Sequence, residues 1–291
     1  MPSPGPTRLA NLSLWRKTAN LAATAFALGS AVLVLIPLVL VLAYLLMQGV
    51  RSVNLAFLTQ IPKPVGEIGG GMANAIVGSG LILSIASIVG IPLGIGCGIY
   101  LSEYGRNRFG DFVRFTADVL NGVPSIVIGI AAYSLVVVRQ KHFSAYSGGI
   151  ALAIMMVPTV ARATEEMLLM VPNSIREAAL GLGIPKWRTT ISITLRTASA
   201  GVITGCMLAF ARVAGETAPL LFTAFGNQYW NLNPNQPTAA LPLQIFTYAI
   251  SPFDDQHRQA WAGALILIVL IVGAVAAVRI VTSRGMLRGA S

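Results

Sequence analysis

Two charged residues stand where an apolar run should exclude them. Arg212 lies inside "GVITGCMLAFARVAGETAPLLFTA", residues 201–224, and Glu216 follows it four positions later. An arginine at the centre of a spanning helix costs roughly 2.5–3.5 kcal/mol on insertion scales, so it needs a counter-charge or water. On a continuous helix, i and i+4 share a face and lie within ion-pair reach. Either the two neutralise each other, or the guanidinium borders an aqueous path, where its planar fork suits the oxygens of a carboxylate or phosphate. Arg162 is a second candidate: Glu165 and Glu166 follow it at three and four residues. It reads either as another path residue or as a basic anchor at the end of a span.

A third constellation is polar. In "SIREAALGLGIPKWRTTISITL", residues 174–195, good helix formers run to Leu180, with Glu177 near the start, where the helix dipole favours an acid. Gly181 and Gly183 permit a turn, and Pro185 suits the first turn of a second helix. Trp187, Ile191 and Leu195 give that helix one apolar stripe. The expectation is a helix–turn–helix, either projecting from a membrane or lying on its headgroups.

Other chemistry finds little footing. The four lysines follow Arg16, Pro62, Gln140 and Pro185, so none completes the Gly-Lys-Ser/Thr of a phosphate-cradling loop. HExxH and GxSxG are absent. Any nucleotide hydrolysis must occur on another subunit. Cys97 and Cys206 fall in apolar runs, and only His142 and His257 could join them, so no metal quartet is expected.

The elements that must hold these residues follow from composition. Of 291 residues, 55% are hydrophobic and 10% charged, with mean hydropathy +0.74. Soluble domains carry about 25% charged residues. Residues 18–50, 68–102, 119–138, 142–161, 217–253 and 259–278 contain no Asp, Glu, Lys or Arg. A spanning helix needs about 20 apolar residues. Six spans are expected, over about 21–47, 73–101, 120–138, 147–168, 197–225 and 260–281, in an all-α polytopic membrane protein. The prolines of residues 1–17 suggest a flexible lead-in, so the cytoplasmic N-terminal segment is set at about 1–20 and the membrane domain at 21–285. The first apolar run is too long for a cleaved secretion signal. Most of the Lys and Arg residues fall on the side of both termini, the 102–118 loop and the polar segment, which places all of these in the cytoplasm. The net charge of +10 is spread over several loop ends and reflects this topology, not nucleic-acid binding. The loop 51–72 reads as external and irregular, and 226–258 as the longest external segment. Gly90, Gly94 and Gly98 form a ridge for close helix packing, within the chain or with another subunit. Tyr229 and Trp230 read either as an interfacial aromatic belt or as part of a longer outer loop that receives an external partner.

The polar segment resembles the EAA loop of ABC-transporter permeases. Glu177-Ala178-Ala179, then Gly183, then Ile193-Thr194-Leu195 keep that motif's spacing, and Arg196 stands where the family usually has proline. "GGGMANAIVGSG" (69–80), "GVPSIVIG" (122–129), "VPTVARATEEML" (157–168), "ARVAGETAPLLFTA" (211–224) and "ALPLQIF" (240–246) are similar to the PstA-type permeases of phosphate-specific ABC importers. The resemblance covers about 70–285. It implies the ABC importer permease fold in a bacterial inner membrane, and a loop over about 170–196 whose Glu177, Ala178, Ala179 and Gly183 couple to a cytoplasmic ATPase. The implied partners are a second, PstC-like permease, a pair of PstB-like ATPases carrying ATP-Mg, and an extracytoplasmic PstS-like phosphate-binding protein. The chain itself is expected to hold no cofactor. Arg212 would border the path and exchange Glu216 for phosphate. Alternatives are a permease for molybdate, sulfate or a polyamine, an ATP-independent channel or carrier, and a phosphate-sensing scaffold.

Overall fold

The computed structural model describes residues 6–64 and 66–288, with side chains described over 15–64 and 66–282. In order the helices are α1 Pro6–Ser52, α2 Leu55–Thr59, α3 Ala73–Glu103, α4 Arg108–Gly122, α5 Ser125–Ala132, α6 Val138–Gln140, α7 Ala145–Leu169, α8 Asn173–Gly181, α9 Lys186–Thr189, α10 Leu195–Ala214, α11 Ala218–Thr223, α12 Leu241–Ala249 and α13 Asp254–Arg288. π-helical turns at Tyr133–Val137 and Thr190–Thr194 join α5 to α6 and α9 to α10 without a break. Among the described residues every regular element is a helix.

Five helical stretches are long and apolar enough to cross a membrane: Trp15–Ser52, Ala73–Glu103, Ala145–Leu169, Lys186–Ala214 and Asp254–Thr282. A sixth is the pair Arg108–Gly122 and Ser125–Gln140, bent by 106°. The straight span expected over 120–138 is therefore corrected. Pro124 disfavours the helical conformation of the residue before it, and Val123 is extended (φ −69°, ψ 132°). The span expected over 197–225 is also interrupted: α10 stops at Ala214, residues 215–217 are not helical, and α11 restarts with Pro219 in its first turn. The lead-in expected to be flexible is helical from Pro6 onward, where α1 opens, and residues 1–5 lie outside the described residues. The loop 51–72 holds α2, with Asn54 accepting from the Phe57 amide at 2.7 Å. The segment 226–258 contains α12 and the start of α13.

α3 and α7 form the spine and run parallel. The ridge of small residues on α3 faces α7: Cβ atoms built at Gly94 and Gly98 would stand 2.6 Å from Val160 Cβ and 2.5 Å from Thr164 Cβ. Any larger side chain there would part the helices. The ridge thus serves packing within the chain. Around the spine, Ile82, Leu152, Met156, Val160, Val202, Ala209 and Val213 form the main core. α1 and α13 lie outside, exposing residues such as Leu33 and Val34, as suits helices facing lipid.

Candidate functional site

The site has two ends. One is the hairpin end, where α3 and α7 terminate near α8 and α9; the other, the loop end, carries residues 53–72 and 224–253. α10 runs antiparallel to α7. Gly205 faces Ala163, 2.5 Å from the Cβ it would carry, and Gly201 faces Met167 one turn nearer the hairpin. Continuing that register sets Arg212 level with Met156, close to the midpoint of α7. Met156 in turn lies against Gly90, near the midpoint of α3. Arg212 is therefore at mid-height in the bundle, in the last turn of a helix that stops there.

The expected Arg212–Glu216 pair on one helical face is corrected by the same break. α10 ends at Ala214, so Glu216 lies off the helix, its amide bonding to the Val213 carbonyl at 3.2 Å. Among the described residues, no side chain forms an ion pair or hydrogen bond with the Arg212 guanidinium. The side chain is exposed on the isolated chain, and Glu216 is half-buried. Beyond the break, α11 packs against α5, with Pro219 Cα 2.7 Å from the position of a Cβ on Gly129. α11 then rises to the loop end, where the Ser144 amide and Ser147 hydroxyl donate to the Thr223 carbonyl at 3.2 and 2.9 Å.

Arg162 is placed differently. Its Nε reaches Asp118 Oδ1 on α4 at 3.1 Å, and its Nη1 donates to Glu165 Oε2 at 2.8 Å. The other oxygen of Glu165, whose side chain is 3% exposed, accepts from Arg114 Nε at 2.6 Å. Arg114 also donates to Asp111 and to the carbonyls of Gly105 and Leu101, at 3.0, 3.0 and 2.9 Å. One buried carboxylate thus holds two arginines and clamps α4 to the ends of α3 and α7. Arg162 and Arg212 are not brought together. Their levels along α7 differ by six residues, about 9 Å.

A second clamp fixes the hairpin. Arg176 pairs with Glu103 at 3.1 Å and donates to the carbonyls of Leu168 and Val171, both at 2.6 Å. Lys186 Nζ donates to the Glu103 carbonyl at 2.8 Å and sits 4.2 Å from the centre of the Tyr104 ring. Neither Arg114, Glu103 nor Arg176 stands out in sequence. Each reads there as a basic or acidic residue flanking a span, and its partner lies far along the chain.

The hairpin itself has local causes. α8 closes in a Schellman turn: the Ile184 amide bonds to the Ala179 carbonyl at 3.2 Å, and the Gly183 amide bonds to the Leu180 carbonyl at 2.9 Å. That turn puts Gly183 at φ +77°, where a side chain is strained. Ala179 is buried against the bundle, whereas Glu177 and Ala178 are exposed. Leu180, Leu182 and Trp187 expose 48%, 82% and 62% of their surface, an apolar patch on a polar knob. Without proline at 196, the helix continues from Lys186 to Ala214, its π turn absorbing the junction. The knob and Arg212 are thus two ends of one rod, 29 residues or about 43 Å long.

Fold and site together define a class: an all-helical, multi-pass membrane permease with a broken span and a projecting helical knob. The chain belongs to the family of binding-protein-dependent transport system inner membrane components, whose family model matches residues 90–285. It is similar to the phosphate transport system permease protein PstA of Yersinia pestis, 45% identical over 89% of this chain and 88% of that protein. The PstA protein of Xylella fastidiosa is 48% identical over 78% and 80%, and PstA 1 of Mycobacterium tuberculosis 37% over 94% and 91%. The membrane chain of a MetNI methionine ABC transporter, solved in inward-facing conformations, superposes with a TM-score of 0.56 at 15% identity. It covers 76% of this chain and 97% of that one. That likeness is one of fold, an ABC importer permease.

Proposed function

We propose that this chain is the membrane-spanning permease subunit of an ATP-driven inorganic phosphate importer, with Arg212 on the path of the anion. Three relatives at 37–48% identity, each a phosphate transport permease by name, favour phosphate over molybdate, sulfate or a polyamine. The observation that carries the reading is Arg212 at mid-height without a partner. The carbonyl end of α10 offsets about 0.3–1 kcal/mol of its cost, well short of the roughly 2.5–3.5 kcal/mol of an arginine at the bilayer centre. The remainder requires water or an anion, and a guanidinium fork matches phosphate oxygens. Glu216, without an ion pair among the described residues, is near enough in sequence to compete for that fork and keep the anion from lodging. Arg162, committed to Asp118 and Glu165, belongs in this reading to the clamp and not to the path.

The basic hairpin end, and with it both termini, faces the cytoplasm. There Glu177, Ala178 and the Leu180–Trp187 patch dock on a pair of PstB-like ATPases that bind ATP-Mg, since this chain has no nucleotide loop of its own. Closure of that pair moves the knob, and the rod from Lys186 to Ala214 carries the motion to Arg212 and the break at 215–217. A PstC-like permease supplies the facing half of the path, and a PstS-like binding protein delivers phosphate from outside.

The test is phosphate uptake by Arg212→Gln in the assembled complex. Uptake is expected to fall to background while all subunits still co-purify. Wild-type uptake by an assembled variant overturns the assignment. Uptake by the native complex that survives ATP depletion overturns the ATP-driven reading, and competition by molybdate or sulfate equal to that of phosphate overturns the choice of cargo.

A further inference from the structure

A cavity of about 390 Å³ lies behind the hairpin, where α3 and α7 end. That is within the ordinary range of ligand clefts, about 300–1,000 Å³. Its walls bring together three cations from three segments: Arg106 after α3, Arg176 on α8 and Lys186 on α9. Glu103 is the one acid among the lining residues, and Arg176 already holds it at 3.1 Å. Two positive charges are left over around one space.

Their donors are not equally committed. Arg176 has four of its five N–H groups engaged, with Glu103, Val171, Asn173 and Leu168. Lys186 has one of its three engaged, with the Glu103 carbonyl. Arg106 is exposed and has no hydrogen bond or ion pair among the described residues. Its guanidinium is thus a free planar fork beside a second cation with donors to spare.

The surroundings narrow the ligand. Of the hairpin's docking residues only Leu180 reaches the lining. Beyond Arg106, α4 carries Phe109, Phe112 and Phe115 on one face, exposed by 61%, 63% and 66%. Gly110 and Ala117 are buried on its other face, and the helix lies across the span that follows, bent by 106°. An amphipathic helix of this kind, with Arg106 and Arg108 at its start, lies in the interface with its apolar face at the headgroup boundary. The cavity is therefore at the level of the lipid phosphates.

We propose that this cavity is a binding site for a phosphate group, gripped by Arg106 and Lys186 over the Arg176–Glu103 pair. Two kinds of phosphate reach this place. One is the headgroup of an anionic lipid, whose chains would run along the phenylalanine face; the other is free inorganic phosphate from the cytoplasm. In either case the bound anion ties the loop 104–107 to α9, and so adds a further fastening to the hairpin. The proposal goes beyond the transport reading and takes from it only the side of the membrane.

The experiment follows hydrogen exchange at 104–107 and 173–190 in the assembled complex, in detergent with phosphatidylcholine. Short-chain phosphatidylglycerol and inorganic phosphate are titrated separately. Protection that rises with phosphatidylglycerol alone identifies the lipid headgroup; protection by inorganic phosphate in its absence identifies the free anion. Either supports the site when the half-maximal concentration rises about tenfold or more in Arg106→Gln, the loss of a charge-assisted hydrogen bond. Arg106→Gln breaks no bond of the fold, and Arg106→Lys, which keeps the charge, is expected to restore part of the affinity. Arg108→Gln, at the start of α4 and outside the lining, is the control for diffuse attraction by a basic surface. Equal shifts for Arg106→Gln and Arg108→Gln overturn the site. So does protection by neither probe, the result expected if a carboxylate of a neighbouring subunit fills the cavity. Because the readout is local exchange and not uptake, such a failure leaves the transport reading standing.

Discussion

Arg114, midway along α4, and Arg212, in the last turn of α10, are both arginines of a membrane bundle, and the fold treats them in opposite ways. Arg114 spends its donors on a buried glutamate, an aspartate and two helix-terminal carbonyls. Arg176 repeats the pattern on Glu103 and the end of α7. Arg212, at mid-height, has no such partner among the described residues. A saturated guanidinium is a rivet, because any movement breaks several charge-assisted bonds at once. An unpaired one at that depth needs water, an anion or a charge from outside the chain. The hairpin end is fastened by two such clamps, whereas α10 simply ends beside Arg212 at the break at 215–217.

The sharpest way to break this comparison is to remove a charge from each region. Glu165→Ala leaves Arg114 and Arg162 without the carboxylate that joins them. Loss of one partner from a buried ion pair costs about 3–5 kcal/mol. Thermal unfolding of the purified complex is expected to shift down accordingly, with α4 opening to proteolysis. Arg212→Gln removes no bond, so its unfolding temperature is expected to match the native one even as transport ceases. If Arg212→Gln destabilises as much as Glu165→Ala, the two regions are not different in kind. Arg212→Lys sharpens the point: it keeps the charge and loses the fork, and is expected to transport poorly with a raised KM for phosphate.

The same contrast explains what could be read from the sequence. The spans were legible because hydropathy is a local sum, and the knob because its causes are local: good helix formers, a glycine where φ must be positive and a proline at a helix start. The break at 215–217 was hidden by the apolar residues on either side, which make 197–225 look like one run, although Gly215 and Pro219 marked it. The clamps were illegible for a different reason. Arg114 and Glu165 lie 51 residues apart, and Arg176 and Glu103 lie 73 apart, and no periodicity links such pairs. Arg162 drew attention by its spacing to Glu165 and Glu166, but its commitment to Asp118 needed the fold.

A smaller effect is expected from the spine that both regions share. Gly94→Leu inserts a side chain whose Cβ alone would stand 2.6 Å from Val160 Cβ. Overpacking of this kind costs typically 1–3 kcal/mol. Because α3 and α7 carry the clamps at one end and set the level of Arg212 at mid-height, stability and uptake are expected to fall together. Val160→Ala in the same chain makes room, and is expected to recover part of both. Recovery of neither would mean that the glycine ridge serves something other than the α3–α7 contact.

The smallest change tests the link between the regions. Gly183 is at φ +77° in open space, so Gly183→Ala meets no atom within 4 Å and acts through its backbone alone. Left-handed geometry costs a non-glycine residue roughly 1–2 kcal/mol. That is too little to unfold a hairpin held by Arg176 and Lys186, and enough to tilt α8 against the rod that begins at Lys186. The expected result is a complex that assembles, hydrolyses ATP and moves less phosphate per ATP, because the knob's motion reaches Arg212 only in part. Unchanged stoichiometry, measured as phosphate transported per ATP hydrolysed, would mean that the turn does not set the coupling. The continuous helix from Lys186 to Ala214 would then be a strut and not a lever.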